Sequence, residues 1–466
     1  MVFSSITFLY IFLPITLLAY YLVPAKGKNW VLFVSGLIFY AWGEPVYVCV
    51  MVLSALIDYT AGRLMDCWDG DEKKKKILLI CSVVMNLGLL AIFKYSSFFV
   101  ENLNTLFHGG IPDPKLPLPI GISFYTFQSM SYTIDLYRRK IKVQKNFVNF
   151  GAYITMFPQI IAGPIVRYED VQKELVSRTI TVAETADGIG LFVRGLAKKL
   201  LLANNIGMLW AQVKEMPLGT IPAVTAWLGI LAFTFQIYFD FSGYSDMACG
   251  MGQMLGFHFP QNFNLPYTAK SITDFWRRWH ITLSTWFKEY LYIPLGGNRH
   301  GKIKTIRNLL IVWALTGFWH GASWNFVLWG LYFGVILILE KFVYGRFLDK
   351  LPSFLRQVYT FMLVVFSWVL FEMDTMSNVG RYLKAMFGEA GLADRQSISL
   401  LSSYFFLFLV CIFASVGWGR KIYSFFVKRW PAGAQAALPI SVVLLMVVCT
   451  AYLVNATYNP FLYFRF

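Results

Sequence analysis

The sequence predicts an all-α, polytopic integral membrane protein: about eleven transmembrane helices, plus re-entrant and horizontal helices, around a central funnel. Three observations predict it. The 466 residues are 57% hydrophobic and 18% aromatic but only 14% charged, which excludes an ordinary soluble domain. Apolar runs of membrane-spanning length recur from end to end, with no room between them for a soluble domain, so the chain reads as one domain, 1–466. The loops between the first runs alternate in positive charge.

The first run begins just after MVFSS and lacks a basic leader, so it is expected as a retained helix near 3–23, not a cleaved signal. Further spans are expected near 30–42, 46–61, 77–95 and 118–137, with a tight break at Gly43-Glu44-Pro45. Lys26 and Lys28 follow the first span, Lys73–Lys76 precede the fourth, and Arg138, Arg139, Lys140, Lys142 and Lys145 follow the fifth. The intervening loops hold only Lys115. Positive residues collect in cytoplasmic loops, so the N-terminus is expected outside and the loops near 26, 70 and 140 inside. The net charge of +16 has the same origin and does not point to nucleic acid. The Lys73 run reads as a solvated loop.

The 118–137 span is polar for a lipid-facing helix, with Ser123, Thr126, Gln128, Ser131, Thr133 and Asp135. Helix packing through hydroxyls and a pore lining explain this equally well. FPQIIAGPIVRY, from Phe157 to Tyr168, carries Pro158, Gly163 and Pro164 inside an apolar run. A broken segment shielded by protein is expected there, and such segments tend to line cavities. Arg194 and Lys198 lie one helical turn apart, as a snorkelling helix edge or as a clamp for the phosphates of coenzyme A. Asp240 and Asp246 interrupt the apolar run that starts at Ala223 and need partners, for which Arg277 and Arg278 are the expected cations. Asn262 and Asn264 precede the next helix, either as turn formers or as groups that hydrogen-bond substrate. Later spans are expected near 306–319, 324–340, 354–371, 400–417 and 437–455. The six cysteines show no C-x-x-C spacing, so neither a disulfide framework nor a zinc site is expected.

Ser271–Gly330 carries the chemistry. Ser271 to Tyr290 has helical spacing, with Thr273, Arg277, His280, Ser284 and Lys288 on one face and an S-x-x-D start at Ser271. The apolar run from Ile306 to Trp319 delivers His320, followed by Gly321-Ala322-Ser323 and a further span. A histidine that deep in an apolar run normally faces a bundle interior or a cavity. One alone reads more simply as a core residue bonded to a backbone carbonyl. Two of them in Trp-rich settings, one beside paired arginines, favour function. His108, His258 and His300 lie in loops or at loop edges and receive no role.

FWRRWHITLSTW followed by GFWHGASWNFVLWG resembles the membrane-bound O-acyltransferase family. The resemblance is to its bacterial branch, which holds the alginate O-acetyltransferase membrane subunit and the teichoic-acid D-alanyl transfer protein. The segments at 118–137, 157–168 and YFDFSGYSDMA share the likeness, which covers roughly 1–340. It implies His320 as the catalytic residue and a second motif histidine at His280. Acyl transfer from a thioester to a hydroxyl needs a base, donors for the developing oxyanion and exclusion of water. The chain has no G-x-S-x-G elbow, P-loop or H-E-x-x-H. His320 is therefore expected as general base, with His280, Arg277 and Arg278 positioning the donor or stabilising charge. Asp240, Asp246 and Asn262 complete the candidate substrate-binding set.

The expected function is transfer of an acetyl group from cytoplasmic acetyl-CoA to an extracytoplasmic polysaccharide, with no bound cofactor. The expected location is the bacterial plasma membrane. The resemblance implies a separate partner, either an extracytoplasmic serine-hydrolase-like acyltransferase or a small membrane protein. D-alanyl transfer to teichoic acid from a carrier protein is the alternative within the family. Outside it stand a flippase or transporter of a lipid-linked sugar and a scaffold without chemistry. No internal repeat of the transporter kind is present.

Overall fold

The computed structural model describes residues 1–161, 163–455, 458–460 and 462. Among these residues every regular element is helical and no strand occurs. Seven helices are long and apolar enough to cross a membrane: Val48–Cys67, Glu72–Phe107, Ala223–Met254, Trp324–Leu348, Ser353–Glu372, Arg395–Ser415 and Pro431–Asn455. The expected spans near 3–23, 30–42 and 118–137 form shorter helices, Phe8–Leu22, Lys28–Gly43 and Ile122–Tyr137. The expected 306–319 span is the Lys302–His320 helix, whose first turns carry Lys302, Lys304 and Arg307. The chain divides into two compact units: Met1–Phe192 with Met247–Gln261, and Val193–Asp246 with Asn262–Phe466.

In the first unit a buried carboxylate gathers three helices. Asp58, on Val48–Cys67, is fully buried. It accepts hydrogen bonds from Ser82, from Ser129 and from Asn86 Nδ2, the last at 2.9 Å to both oxygens. Ser82 also reaches Thr133 Oγ1 at 3.1 Å. The hydroxyls of Ser129 and Thr133 in the polar 118–137 segment are thus used in packing between helices. The Glu72–Leu90 helix starts at Asp71, whose side chain accepts from the backbone N–H groups of Lys73 and Lys74, both at 3.1 Å. The lysine run that follows is not uniformly solvated. Lys75 is 3% exposed and lies 2.9 Å from Asp69, because its position in the first turn faces inward.

The broken segment expected at 157–168 is present. The chain forms only a four-residue helix, Phe157–Ile160, and the described residues 161 and 163–167 that follow are not helical. Pro158 falls in the first turn, where a missing N–H costs nothing. Tyr153 Oη, before the break, lies 3.0 Å from the Val166 carbonyl after it and 3.1 Å from the Gln128 carbonyl, so its one proton is shared between two acceptors. This non-helical backbone is buried in protein, the condition under which it is tolerated at membrane depth.

In the second unit, Lys302–His320 and Trp324–Leu339 form a tight antiparallel hairpin. Two glycines set its spacing. A Cβ on Gly317 would lie 2.1 Å from the Phe326 carbonyl oxygen, and one on Gly330 would lie 2.1 Å from that of Trp313. Only glycine lets the two backbones approach this closely. A second close approach, a Gly243 Cβ position 2.7 Å from the Gly195 carbonyl oxygen, brings Lys198 and Lys199 against the Ala223–Met254 helix. The carboxylates there are taken up by these lysines: Lys198–Asp246 at 2.6 Å and Lys199–Asp240 at 2.7 Å. Asp240 also accepts the Leu462 backbone N–H at 2.9 Å.

Candidate functional site

The 271–290 segment is not the single helix that its spacing predicts. Ser271 does cap a helix, its hydroxyl accepting from the Asp274 N–H at 3.0 Å, but that helix, Ile272–Trp276, is only five residues long. Arg277 to Trp279 turn, His280 takes a left-handed conformation at φ 43°, and a second short helix runs Ile281–Phe287. Thr273, Arg277, His280, Ser284 and Lys288 therefore do not share one helical face.

The break has a non-local cause. An extended stretch docks against it, with Asn264 N–H donating to the Arg278 carbonyl at 2.9 Å and Ile281 N–H donating to the Asn262 carbonyl at 3.0 Å. Asn262 Oδ1 accepts the Thr282 N–H at 3.2 Å and the Thr282 hydroxyl at 2.9 Å, and lies 3.1 Å from His280 Nδ1. A backbone N–H can only donate, so the amide atom facing it is the oxygen. His280 Nδ1 therefore carries the proton, and Nε2 holds the lone pair. His280 is 1% exposed, packed edge-on against Phe241 at 4.7 Å between ring centroids and against Trp319 at 6.1 Å. Burial holds its imidazole far below the ordinary value, at about 3, so it is neutral at working pH.

The start of the broken segment is anchored by a residue that sequence reasoning passed over. Glu340, buried at the end of the Trp324–Leu339 helix, accepts from the N–H groups of Ile272 and Thr273 at 2.7 and 3.0 Å, and from the Thr273 hydroxyl at 3.0 Å. A carboxylate suits a helix N-terminus, where backbone donors converge. The signal was available: an acid closing an apolar run needs a partner.

His320 sits at the end of the Lys302–His320 helix, 7% exposed. Its ring packs against Trp319 and Trp329, both at 5.0 Å, and against Phe371 at 5.5 Å. Trp319 touches both imidazoles, so the structure brings the two motif histidines to one aromatic cluster. A cavity of about 160 Å³ lies beside this cluster, lined by Trp276, Ser284, Lys288, Tyr292, Trp313 and Thr316, among others. Thr316 is one helical turn before His320.

The expected arginine–aspartate pairing does not occur. Arg278 binds its own helix neighbour Asp274 at 2.9 Å, and Arg277 is exposed. Asp240 and Asp246 instead meet Lys199 and Lys198, which the Gly195–Gly243 contact places closer. Lys198 is accordingly paired with Asp246 within the protein. Asn262 is buried, and its side-chain oxygen holds His280 and Thr282.

Residues 35–383 match the model of the membrane-bound O-acyltransferase family. The chain is 37% identical over 503 residues to a probable alginate O-acetylase, AlgI, of Azotobacter vinelandii, covering 100% of both chains. It is 34% identical to a peptidoglycan O-acetyltransferase of Helicobacter pylori, covering 84% of this chain and 81% of that one. It is 30% identical to a teichoic acid D-alanyltransferase of Bacillus subtilis, covering 54% of this chain and 68% of that one.

Proposed function

The chain belongs to the membrane-bound O-acyltransferase family and is a multi-pass membrane O-acyltransferase, and we propose that it moves an acetyl group from acetyl-CoA toward a cell-envelope polysaccharide. The acetyl-transferring relatives match nearly the whole chain, whereas the D-alanyl-transferring one matches about half, which favours acetyl. The observation that carries the reading is His320, an imidazole enclosed by Trp319, Trp329 and Phe371 at the closed end of a glycine-spaced hairpin.

Such a residue suits a general base in a site that must exclude water, since free water would hydrolyse the thioester. His320 takes the proton of the acceptor hydroxyl as its oxygen attacks the thioester carbonyl. The carbon–sulfur bond then breaks, and the thiolate takes the proton back from the imidazolium. His280, neutral and fixed in one tautomer by Asn262, supports the aromatic wall and offers Nε2 as a hydrogen-bond acceptor.

Charge orients the hairpin. Lys302, Lys304 and Arg307 open one helix, and Lys341, Arg346 and Lys350 follow the other, so all lie at the end opposite His320. Positive residues mark the cytoplasmic side. A helix rises about 1.5 Å per residue, so His320 lies roughly 27 Å from Lys302 toward the outer face. This charge pattern supports donor entry from the cytoplasm and release outside, with an extracytoplasmic or small membrane partner that passes the acetyl group to the glycan.

The experiment is transfer of labelled acetyl from acetyl-CoA in reconstituted vesicles, with mass analysis of ester-linked acetyl on surface polysaccharide of cells with and without the chain. His320→Ala is expected to abolish transfer at normal expression, a loss of roughly 10²-fold or more. Unchanged polysaccharide acetylation in cells lacking the chain defeats the proposal, as does near-normal transfer by His320→Ala.

A further inference from the structure

We propose that the indole N–H of Trp329 is the hydrogen-bond donor to the thioester carbonyl oxygen as acyl transfer proceeds at His320, an inference that rests on the reading of His320 given above. Trp329 is 1% exposed, and its Nε1 has no hydrogen-bond acceptor among the described residues; the same is true of Trp276 in this cluster, but of the two Trp329 is the one whose ring packs on His320. Buried tryptophans normally find a partner for this group, so an indole donor left unpaired calls for an explanation. Its ring lies 5.0 Å from the His320 ring, at 83° to it, and is otherwise walled by Trp276, Phe333, Trp368 and Phe371 at 5.1 to 6.2 Å. Every one of those neighbours presents an aromatic ring, so a phenyl group would fill the place with no polar atom to satisfy. The N–H is the part that packing does not require.

The chemistry at His320 requires what Trp329 offers. As the acceptor oxygen bonds to the carbonyl carbon, the C=O pair of electrons moves onto oxygen. That charge persists until the carbon–sulfur bond breaks and the carbonyl reforms. The stabilising donor must already be in place, desolvated and unspent on the protein. Gly321 continues from His320 in extended backbone at φ −172°, ψ 154°. Trp329 is reached across the glycine-spaced hairpin, so the approach that positions His320 also positions the donor.

The test replaces Trp329 with Phe and, by amber suppression, with benzothienylalanine, which keeps the bicyclic shape but puts sulfur in place of N–H. Both variants are assayed in vesicles with acetyl-CoA and with its dithioester analogue, whose C=S sulfur is a poor hydrogen-bond acceptor. Loss of an oxyanion donor costs on the order of 10²-fold in kcat. That loss is expected with acetyl-CoA, with KM and the unfolding midpoint nearly unchanged. With the dithioester the difference between wild type and variant should shrink toward one. A folded benzothienylalanine variant that keeps kcat within about threefold overturns the proposal. So does an equal loss with both donors, which is the mark of a structural role. His320→Ala run alongside separates the two ideas: if it stays active the base assignment fails, and if it is inactive while Trp329→Phe is normal, only the donor assignment fails.

Discussion

Replacing Asn262 with alanine tests whether one side chain holds the motif histidine in place. Asn262 Oδ1 serves His280 Nδ1 and the Thr282 N–H and hydroxyl, at 2.9 to 3.2 Å. Removing it leaves the imidazole N–H and a backbone N–H buried without acceptors, each costing about 1–3 kcal/mol. The lost amide volume adds a smaller cavity term, so the total is roughly 3–5 kcal/mol. Asn262→Asp is the informative companion, since it keeps an acceptor but adds a charge beside the imidazole. That carboxylate should raise the His280 pKa from about 3 toward the working range, so activity acquires a further dependence on pH, from His280, beyond that of the base His320. Chemical unfolding in detergent and transfer rates across pH 5–8 measure both effects. A loss under about 1 kcal/mol in Asn262→Ala means the hydrogen bonds do not hold the turn, and the account of the broken helix is then wrong.

Three further outcomes are expected. His280 titrates near 6.5 when unfolded and about 3 when folded, so its contribution to stability is complete above pH 6.5 and is lost as pH falls toward 3. Between pH 6.5 and 5.5 this amounts to about 1 kcal/mol, and His280→Gln should flatten that part of the unfolding profile; an unchanged profile refutes the assignment. Gly330→Val should splay the hairpin, given a Cβ position 2.1 Å from the Trp313 carbonyl oxygen, costing about 3 kcal/mol and most of the activity. Ordinary activity in a stable Gly330→Val protein contradicts the close-contact argument. In a background without Cys49, Cys67 and Cys81, which are exposed, a cysteine at Lys74 should react with impermeant reagents only in permeabilised cells, and one at His108 in intact cells; the reverse pattern inverts the topology.

The parts of the molecule legible in the sequence are those written in local pattern. Apolar runs marked the spans, Pro158 and Gly163 marked the broken segment, and Ser271 and Asp274 marked a helix start. His320 was legible because a polar group at the end of an apolar helix is costly wherever the chain goes. The 271–290 segment went wrong because helical spacing is a local signal and the break is not. Asn262 and Asn264, ten or more residues earlier, outcompete the helix by offering Arg278, Ile281 and Thr282 hydrogen bonds that a continuous helix cannot make at the same time. The ion pairs failed for a related reason. Arg277 and Arg278 are near Asp240 and Asp246 in composition, but the glycines at 195 and 243 decide which cations come within reach.

The same distinction applies to the site itself. A position fixed by its own segment tolerates change elsewhere, whereas His280 depends on the docked extended stretch at Asn262 and Asn264 and on Glu340 capping the preceding helix at 2.7 and 3.0 Å. His320 depends on two glycine contacts between adjacent helices. The contacts that fix His280 directly, from Asn262, differ from those that fix His320, at Gly317 and Gly330, although the two segments also meet at Trp319, at Glu340 and where Trp276 packs on Trp313 and Trp329. Damage to one support should leave the other histidine in place, so Asn262→Ala and Gly330→Val are expected to impair transfer independently. Their combined loss in stability should be close to the sum of the two, because the altered side chains share no partner. A coupling energy above about 1 kcal/mol between them makes the aromatic cluster one cooperative support instead of two.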